Sequence, residues 1–152
     1  MTQVSLSEFA EQMNKVMPVI IKEFSRHQAN ELYKGKITLP QFLILNFLNS
    51  GGESKMKDLA RFMRVTTAAM TGMIERLVRE GFCVRRYDPQ DRRIIKVKLT
   101  PKGNALVNKI NVQRQQMIIK TFGRISNKNR QDYLRILLQI RDILSMENAG
   151  TK

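Results

Sequence analysis

Apolar residues recur every three or four positions along the first part of the chain, which is the period of an α-helix. The pattern predicts a long amphipathic helix from Leu6 to Phe24. Pro18 is predicted to kink or break this helix, because proline lacks the amide hydrogen and crowds the preceding turn. The polar run from Asn30 to Lys36 is predicted to end it. The apolar face consists of Phe9, Met13, Val16, Ile20 and Phe24.

A second helix is predicted directly after this polar run. Thr38 and Gln41 have the spacing of a capping box, in which each side chain bonds the backbone amide of the other residue. Pro40 lies in the first turn, where its missing N–H costs little. The helix is expected to continue through Asn49 and to stop at the two glycines that follow.

A pair of short helices is predicted next, separated by a tight break. Ser54 is expected to cap a helix from Lys55 to Met63, and Thr66 to cap a helix from Thr67 to Glu80 that ends at Gly81. The second member of this pair carries a continuous apolar side. The pair therefore has the form of a helix-turn-helix.

The period then changes from helical to twofold. Short strands are predicted at Phe82 to Arg86 and at Ile94 to Leu99, the second alternating apolar and charged residues as a half-buried strand does. Asp88 and Pro89 supply turn chemistry between the two strands. A β-hairpin with a charged tip is therefore predicted.

Two helices are predicted to complete the chain. Thr100 and Pro101 open the first, which is expected to reach Phe122, and Ser126 caps a last helix to about Met146. The last helix is apolar around too much of its circumference to face one core, so a second copy of the chain is expected to cover it. A wide core stripe within the monomer is the alternative. The residues concerned are Tyr133, Leu134, Ile136, Leu137, Leu138, Ile140, Ile143 and Leu144.

This order of elements predicts a mainly α-helical fold with a small β-hairpin wing. The predicted fold class is a winged helix-turn-helix, flanked by N- and C-terminal helices that are expected to form a homodimer. One domain of 152 residues is expected. Its parts are an N-terminal dimerisation helix within 1–36, the winged helix-turn-helix over 37–100, and C-terminal dimerisation helices over 101–152; within the central part, the helix-turn-helix spans about 55–80 and the wing about 82–99.

The charge distribution narrows the choice of partner. The net charge is +14, and residues 55–103 contribute +8 of it, from thirteen basic and five acidic side chains, whereas residues 1–54 are neutral. Such a segment is either a solvated basic face or a phosphate-binding footprint, and nucleic acid and anionic membranes are the polyanions to consider. The basic residues cluster on the hairpin and not along an amphipathic helix, which disfavours a membrane surface.

Other sequence features bear on location and on chemistry. The longest near-apolar stretch, Val16 to Ile21, is far too short to span a bilayer, and the first residues lack a signal peptide, so a cytoplasmic protein without membrane contact is expected. Cys83 and His27 are single and far apart, and no glycine-rich phosphate loop follows a strand. The sequence therefore predicts no enzyme and no cofactor or metal. Cys83 is interpreted as a small buried hydrophobe.

The helix from Thr67 presents an unusual outer face near its start. On a helical wheel Ala68 and Gly72 lie opposite the apolar side, and Thr67 and Thr71 lie at the boundary. Small uncharged side chains permit close approach to DNA, where methyl groups contact thymine and hydroxyls bond bases or phosphate. The alternative is simply the start of an exposed helix.

Four stretches resemble the multiple antibiotic resistance regulator (MarR) family of winged helix-turn-helix transcription regulators. The segment from Asp88 to Gly103 is similar to the family's wing signature, an Asp-x-Arg at the hairpin tip, an alternating strand and Leu-Thr-x-x-Gly. Leu39 to Phe42 looks like the opening of its second helix, and Lys57 to Ala60 like the first helix of its helix-turn-helix. Val65 to Phe82 looks like its recognition helix and exit.

The resemblance implies roles for individual residues. Arg93 would enter a narrow A·T-rich minor groove, and Asp91 would hold the wing tip by pairing with that arginine or with backbone amides. Arg92 would contact phosphate or be solvated, and Arg76 would contact phosphate or brace its helix. Many relatives carry a larger residue in place of Gly72. The whole set expected at DNA is Thr66, Thr67, Ala68, Thr71, Gly72, Arg76, Arg92, Arg93, Lys96 and Lys98.

The function that follows is a homodimeric regulator of transcription that binds double-stranded DNA. A repressor is expected, released from a pseudo-palindromic operator by a small aromatic or anionic effector whose site the sequence does not indicate. The methionines, among them Met13, Met17, Met56 and Met70, could line such a pocket or belong to the core. The alternative function is a sequence-independent, architectural nucleic-acid binder.

Overall fold

The computed structural model describes residues 4–27 and 37–149. By its internal contacts the chain divides into two compact units, one through Arg114 and one from Gln115. The elements, in chain order, are α1 (Leu6–His27), α2 (Leu39–Gly51), β1 (Ser54–Lys55), α3 (Met56–Met63), α4 (Thr67–Arg79), β2 (Cys83–Tyr87), β3 (Ile95–Leu99), α5 (Pro101–Phe122) and α6 (Asn127–Ala149). The predicted fold class, mainly helical with a small hairpin sheet, is confirmed.

Helix α1 is capped by a box that sequence analysis did not identify. The Ser5 amide donates to the Glu8 carboxylate at 2.9 Å, and the Glu8 amide donates to the Ser5 hydroxyl at 3.2 Å. The hydrogen bonds from Ser5 lower the pKa of Glu8. Pro18 lies inside the helix, which continues to His27. The predicted run Asn30–Lys36 falls outside the described residues.

Helix α2 begins as its sequence predicts. The Gln41 amide donates to the Thr38 hydroxyl and the Thr38 amide donates to the Gln41 side chain, which completes the capping box. At the other end Gly52 adopts a φ of 75°, a conformation that favours glycine because other side chains meet their own backbone there. The buried side of this helix forms one wall of the core.

The first short helix begins differently from the prediction. Ser54 does not cap it; Lys55 occupies the N-cap position, and no side chain bonds the first turn. Ser54 and Lys55 instead form β1, which pairs antiparallel with Val97 and Lys96. The prediction was wrong because a two-residue strand is created by a partner more than forty positions away and leaves no local pattern.

The sheet has three antiparallel strands in the order β1-β3-β2. In the predicted hairpin Cys83 pairs with Leu99 and Tyr87 with Ile95. Val97, in the central strand, is fully buried. Cys83 is also buried, and desolvation raises the pKa of its thiol to about 12, so it behaves as the small hydrophobe that its sequence context predicts.

The core of the first unit joins α2, α3, α4, the sheet and the first half of α5. Helix α5 buries one side only as far as Ile110. Met56 and Met70 are core residues, whereas Met13 and Met17 on α1 are exposed, so the methionines do not form one group. The buried apolar residues include Ile37, Phe42, Ile44, Leu45, Leu48, Leu59, Ile74, Leu77, Phe82, Leu106 and Val107.

In the second unit a tight turn joins the end of α5 to α6. The Ser126 hydroxyl accepts from the Asn129 amide at 3.2 Å, as predicted, and the Arg130 guanidinium donates to the carbonyls of Phe122 and Ile125. The apolar residues of α6 named above are all exposed in the chain. Within the described ranges, no helix is both long and apolar enough to cross a bilayer.

Candidate nucleic-acid interface

The turn between α3 and α4 is built from local backbone chemistry. Arg64 adopts a left-handed conformation with φ 53°, and its amide donates to the Arg61 carbonyl at 3.2 Å. The Thr66 hydroxyl then accepts from the Ala69 amide at 3.2 Å and caps α4. These contacts turn the chain within three residues. The exposed start of α4 is thereby presented at the surface.

Helix α4 has one buried and one open side. Met70, Ile74 and Leu77 anchor the buried side in the core. The open side carries the small residues predicted at DNA: Thr66, Thr67, Ala68 and Gly72 are exposed, and Thr71 is half-buried.

Two positions on the open side have features that matter for base contact. The Thr71 hydroxyl donates to the Thr67 carbonyl at 2.9 Å, so its remaining capacity toward a ligand is as an acceptor. A methyl group added at Gly72 would meet no atom within 4 Å. The space beside Gly72 is open, which suits close approach of another macromolecule.

Arg76 lies further along the same helix and is paired within it. Its Nε lies 3.3 Å from the Glu80 carboxylate, four residues on, and the side chain remains half exposed. This is the bracing contact that sequence analysis left open beside a phosphate contact. Glu75 is also paired, at 3.7 Å from the Arg85 guanidinium, and that ion pair ties α4 to β2.

The wing tip is organised by Asp88. One carboxylate oxygen accepts from the Gln90 and Asp91 amides, at 2.9 and 3.3 Å, and the other lies 2.7 Å from Lys96 Nζ. The hydrogen bond from Lys96 lowers the pKa of Asp88, and the same contact raises the pKa of Lys96. Sequence analysis gave Asp88 only a turn role. The available signal was the pair Asp88-Pro89, because an aspartate in a turn commonly accepts from backbone amides that follow it.

Asp91 and Arg93 form a second contact at the tip. The Asp91 carboxylate accepts from the Arg93 amide at 3.0 Å and lies 3.2 Å from Arg93 Nε. The Arg93 side chain is nevertheless 92% exposed. A guanidinium held at its Nε and otherwise open keeps its remaining donors for a ligand. Arg92 beside it is exposed.

The two lysines of β3 are not equivalent. Lys98 is exposed, whereas Lys96 is less exposed and engaged with Asp88. Both were predicted among the residues at DNA. In the structure only Lys98 of the two is exposed and open to a phosphate, whereas Lys96 forms an ion pair with the Asp88 carboxylate.

An open cleft of about 220 Å³ joins the wing to the start of α4. Thr67 and Thr71 contribute one wall and Arg93 another, so residues predicted separately on the helix and on the hairpin face a common space. Lys55 and Lys57 also line it and were not predicted as site residues, although their alternation with Met56 was visible. Among the described residues no three His, Cys, Asp or Glu side chains are close enough to hold a metal ion.

Comparisons with known proteins agree with this geometry. Residues 37–95 match the model of the MarR family. A transcriptional repressor of Pseudomonas putida, NicR, is 30% identical over 132 residues, which is 85% of this chain and 82% of the repressor.

Two solved structures are also similar. A MepR-like protein complexed with pseudoligands is 30% identical, covers 88% of this chain and 94% of its own, and superposes with a TM-score of 0.59. A MarR family protein from Bacillus stearothermophilus is 19% identical, covers 93% of this chain and 99% of its own, and superposes with a TM-score of 0.75. With the helix-turn-helix, the wing and the basic cleft in place, the chain belongs to the MarR family of helix-turn-helix transcriptional regulators.

Proposed function

We propose that the protein is a homodimeric repressor that binds a pseudo-palindromic DNA duplex, with α4 in the major groove and the hairpin in the adjacent minor groove. The observation that carries this proposal is the cleft shared by Thr67, Thr71 and Arg93, because it joins a small uncharged helix start to a basic hairpin. A helix of this kind enters the major groove with its first turns against base edges.

Base contacts are assigned to the open side of α4. Ala68 and the threonine methyls suit thymine methyl groups, and the Thr71 hydroxyl suits a base amino donor because it already donates to the Thr67 carbonyl. Gly72 allows the duplex to approach closely. Thr66 caps the helix, and its position at the helix start suits a phosphate contact.

The wing supplies backbone and shape contacts. Arg93 inserts into the minor groove and Arg92 contacts phosphate, while Asp91 holds the tip. Lys98 is the stronger phosphate ligand of β3, and Lys96 is the weaker one because it is paired with Asp88. Arg76 braces α4 through its ion pair with Glu80, and the exposed part of its guanidinium faces solvent or a DNA phosphate.

Dimerisation is assigned to the terminal helices. Helix α1 exposes Phe9, Val16 and Ile20, and helix α6 exposes Leu134 and Ile143, and apolar sets of this size need covering in water. A twofold dimer places two recognition helices about 34 Å apart, so half-sites one helical turn apart are expected.

Two similar proteins support repression of transcription and release of DNA by a small molecule. NicR is named as a repressor, and the MepR-like protein was solved in complex with pseudoligands. We assign the same mode to this chain, with a small aromatic or anionic molecule as the effector. The test of effector release is fluorescence anisotropy of bound DNA during titration with salicylate-like aromatic acids. The acid is expected to release the selected duplex from the dimer and to have no effect on non-specific complexes.

The alternative, an architectural binder without sequence preference, makes a different prediction. A specific regulator prefers its operator to bulk DNA by about 10³-fold or more. The test is selection of duplexes from a random pool, followed by competition against a shuffled duplex of the same composition. Equal affinity for both would favour the architectural alternative.

Four substitutions separate the assigned contacts on a panel of duplexes at several salt concentrations. Arg93→Ala is expected to weaken binding and to flatten the preference for A·T pairs beside the half-site. Lys98→Ala is expected to weaken all duplexes alike and to lower the salt slope by about one unit, with Lys96→Ala doing less. Thr71→Ala is expected to change preference at one or two inner positions by about 1–3 kcal/mol each. Parent-like binding by Arg93→Ala would remove the wing from the interface.

A further inference from the structure

The start of α5 is bonded to the end of the recognition helix. The Thr100 hydroxyl donates to the Gly81 carbonyl at 2.6 Å and accepts from the Gly103 amide at 3.1 Å. The Thr100 amide donates to the Phe82 carbonyl at 3.0 Å. One threonine therefore caps α5 and binds the turn that leaves α4.

Lys102 adds a second connection in the next turn. Its ammonium donates to the Glu80 carbonyl at 2.7 Å and lies 4.8 Å from the centre of the Phe82 ring. Glu80 is the C-cap of α4, where backbone carbonyls lack helical partners and the helix dipole favours a cation. The lysine on α5 thus supplies a hydrogen-bond donor to a backbone carbonyl at the end of α4.

Gly103 brings the backbone of α5 into direct contact with the turn that follows α4. A methyl group built on it would lie 2.1 Å from the Phe82 carbonyl oxygen, which no side chain tolerates. The contact is therefore available only to glycine. Together the bonds of Thr100 and Lys102 and this close approach leave α4 and α5 little freedom to tilt against each other.

We propose that Thr100 and Lys102 are positioning residues for base recognition, which fix the direction of α4 by holding its C-terminal end to α5. The inference rests on the proposed function of α4 as the DNA-reading helix. Thr67–Arg79 spans about 18 Å, so a tilt of about 10° at the held end moves the other end by about 3 Å. A shift of that size breaks a hydrogen bond to a base edge.

Base and phosphate contacts respond differently to such a tilt. Base readout needs donor and acceptor within a few tenths of an ångström, whereas long arginine and lysine side chains follow a phosphate through a shift of a few ångströms. Loosening the junction therefore reduces discrimination between sequences more than it reduces binding to DNA in general. A residue that only adds charge, or only stabilises the fold, would not separate these two quantities.

The first experiment uses the full-length chain and Lys102→Met, which keeps an unbranched side chain on Phe82 but removes the donor and the charge. The probes are the duplex selected by the parent protein from a random pool and a shuffled duplex of the same composition. The ratio of the two affinities is expected to fall about tenfold, the loss of one base contact. Binding of the shuffled duplex is expected to change no more than in Lys120→Met, which removes one exposed charge further along α5.

The second experiment addresses the hydroxyl. Thr100→Val is nearly isosteric but leaves the Gly81 carbonyl and the Gly103 amide without this partner, so the same fall in the affinity ratio is expected. Thr100→Ser and Lys102→Arg keep the donors and are expected to restore the ratio. Thermal melting by circular dichroism identifies any variant that is unfolded at the assay temperature, and the ratio is measured well below each melting point.

The outcomes separate the two proposals. A parent protein without preference for any selected duplex overturns the proposed function. A selective parent with Lys102→Met and Thr100→Val equally selective overturns the positioning role. Equal weakening of both duplexes by Lys102→Met, matching Lys120→Met, also overturns it, because the lysine would then act only through its charge.

Discussion

The central winged helix-turn-helix and the terminal helices of this chain bury their apolar residues in opposite ways. Every buried side chain that the structure describes lies between Ile37 and Ile110. Helices α1 and α6 are amphipathic or broadly apolar, and none of their described side chains is buried. The central part is therefore stabilised by its own buried residues, whereas α1 and α6 leave their apolar residues exposed in the single chain.

This difference assigns separate tasks to the two regions. A part that packs on itself presents α4 and the hairpin in a constant geometry, as base recognition requires. In the proposed dimer, helices α1 and α6 join the two chains and set the spacing between the two central parts. Four sets of changes test this difference between the regions, one in the terminal helices, one in both regions and two in the central part.

The largest effect is expected from removal of residues 126–152, which deletes α6 from its capping serine onward. Loss of the proposed dimer removes the linked second half-site, and operator affinity is expected to fall by about 10²- to 10⁴-fold. Sedimentation equilibrium and anisotropy on the selected duplex measure both quantities. A monomeric truncated chain that binds as tightly as the parent would assign dimerisation no role in recognition.

A matched pair of leucines compares the two regions directly. Leu77→Ala opens a cavity at a fully buried site and is expected to lower the free energy of unfolding by about 2–5 kcal/mol. Leu137→Ala, at a site 42% exposed in the chain, is expected instead to raise the dissociation constant of the dimer by about fivefold or more. Urea unfolding at two protein concentrations distinguishes them. The same shift from both variants at each concentration would contradict the comparison.

Two glycines in the central part, one in close contact and one in open space, are compared next. Gly103→Ala is expected to cost about 1–3 kcal/mol or more of stability, because its methyl group meets the Phe82 carbonyl. Gly72→Ala is expected to stabilise the protein by about 0.5–1 kcal/mol, since the methyl meets nothing and alanine favours the helix. Thermal unfolding measures both. A destabilised Gly72→Ala would show that this side of α4 is covered.

The smallest effect is expected from pH. The folded pKa of Asp88 lies below its usual value, so its contribution is present above about pH 4 and is lost as pH falls through the folded pKa. The folded pKa of Lys96 is raised, so its contribution is present below about pH 10 and is lost as pH rises through the folded value. DNA affinity at constant salt is therefore expected to stay level between about pH 6 and 9.

Asp88→Asn is the control for this pH prediction. It keeps an oxygen for the Gln90 and Asp91 amides but removes the charge that Lys96 pairs with. Its affinity is expected to stay equally level with pH, with a stronger salt dependence from the released lysine. A transition near neutral pH in the parent that Asp88→Asn abolishes would contradict this prediction, because the pKa of Asp88 is lowered and that of Lys96 is raised, both away from neutral pH.

The sequence alone determined what depends on neighbours along the chain. The capping residues Thr38, Thr66 and Ser126, the twofold period of β3 and the helical periods each rest on contacts within a few residues, and all appear in the structure. The family followed from the same kind of evidence, since its motifs are short and local.

Tertiary structure decided what depends on distant partners. Ser54 is a strand residue because Val97 lies beside it, and Lys96 is engaged because the turn brings Asp88 back to it. Lys102 reaches the end of α4 although twenty-two positions separate it from Glu80. A capping threonine can be identified from the residues next to it in sequence. A lysine that bonds another helix has the same sequence pattern as any exposed lysine. Local hydrogen bonds can therefore be predicted from the sequence, whereas the placement of α4 against α5 is seen only in the folded structure.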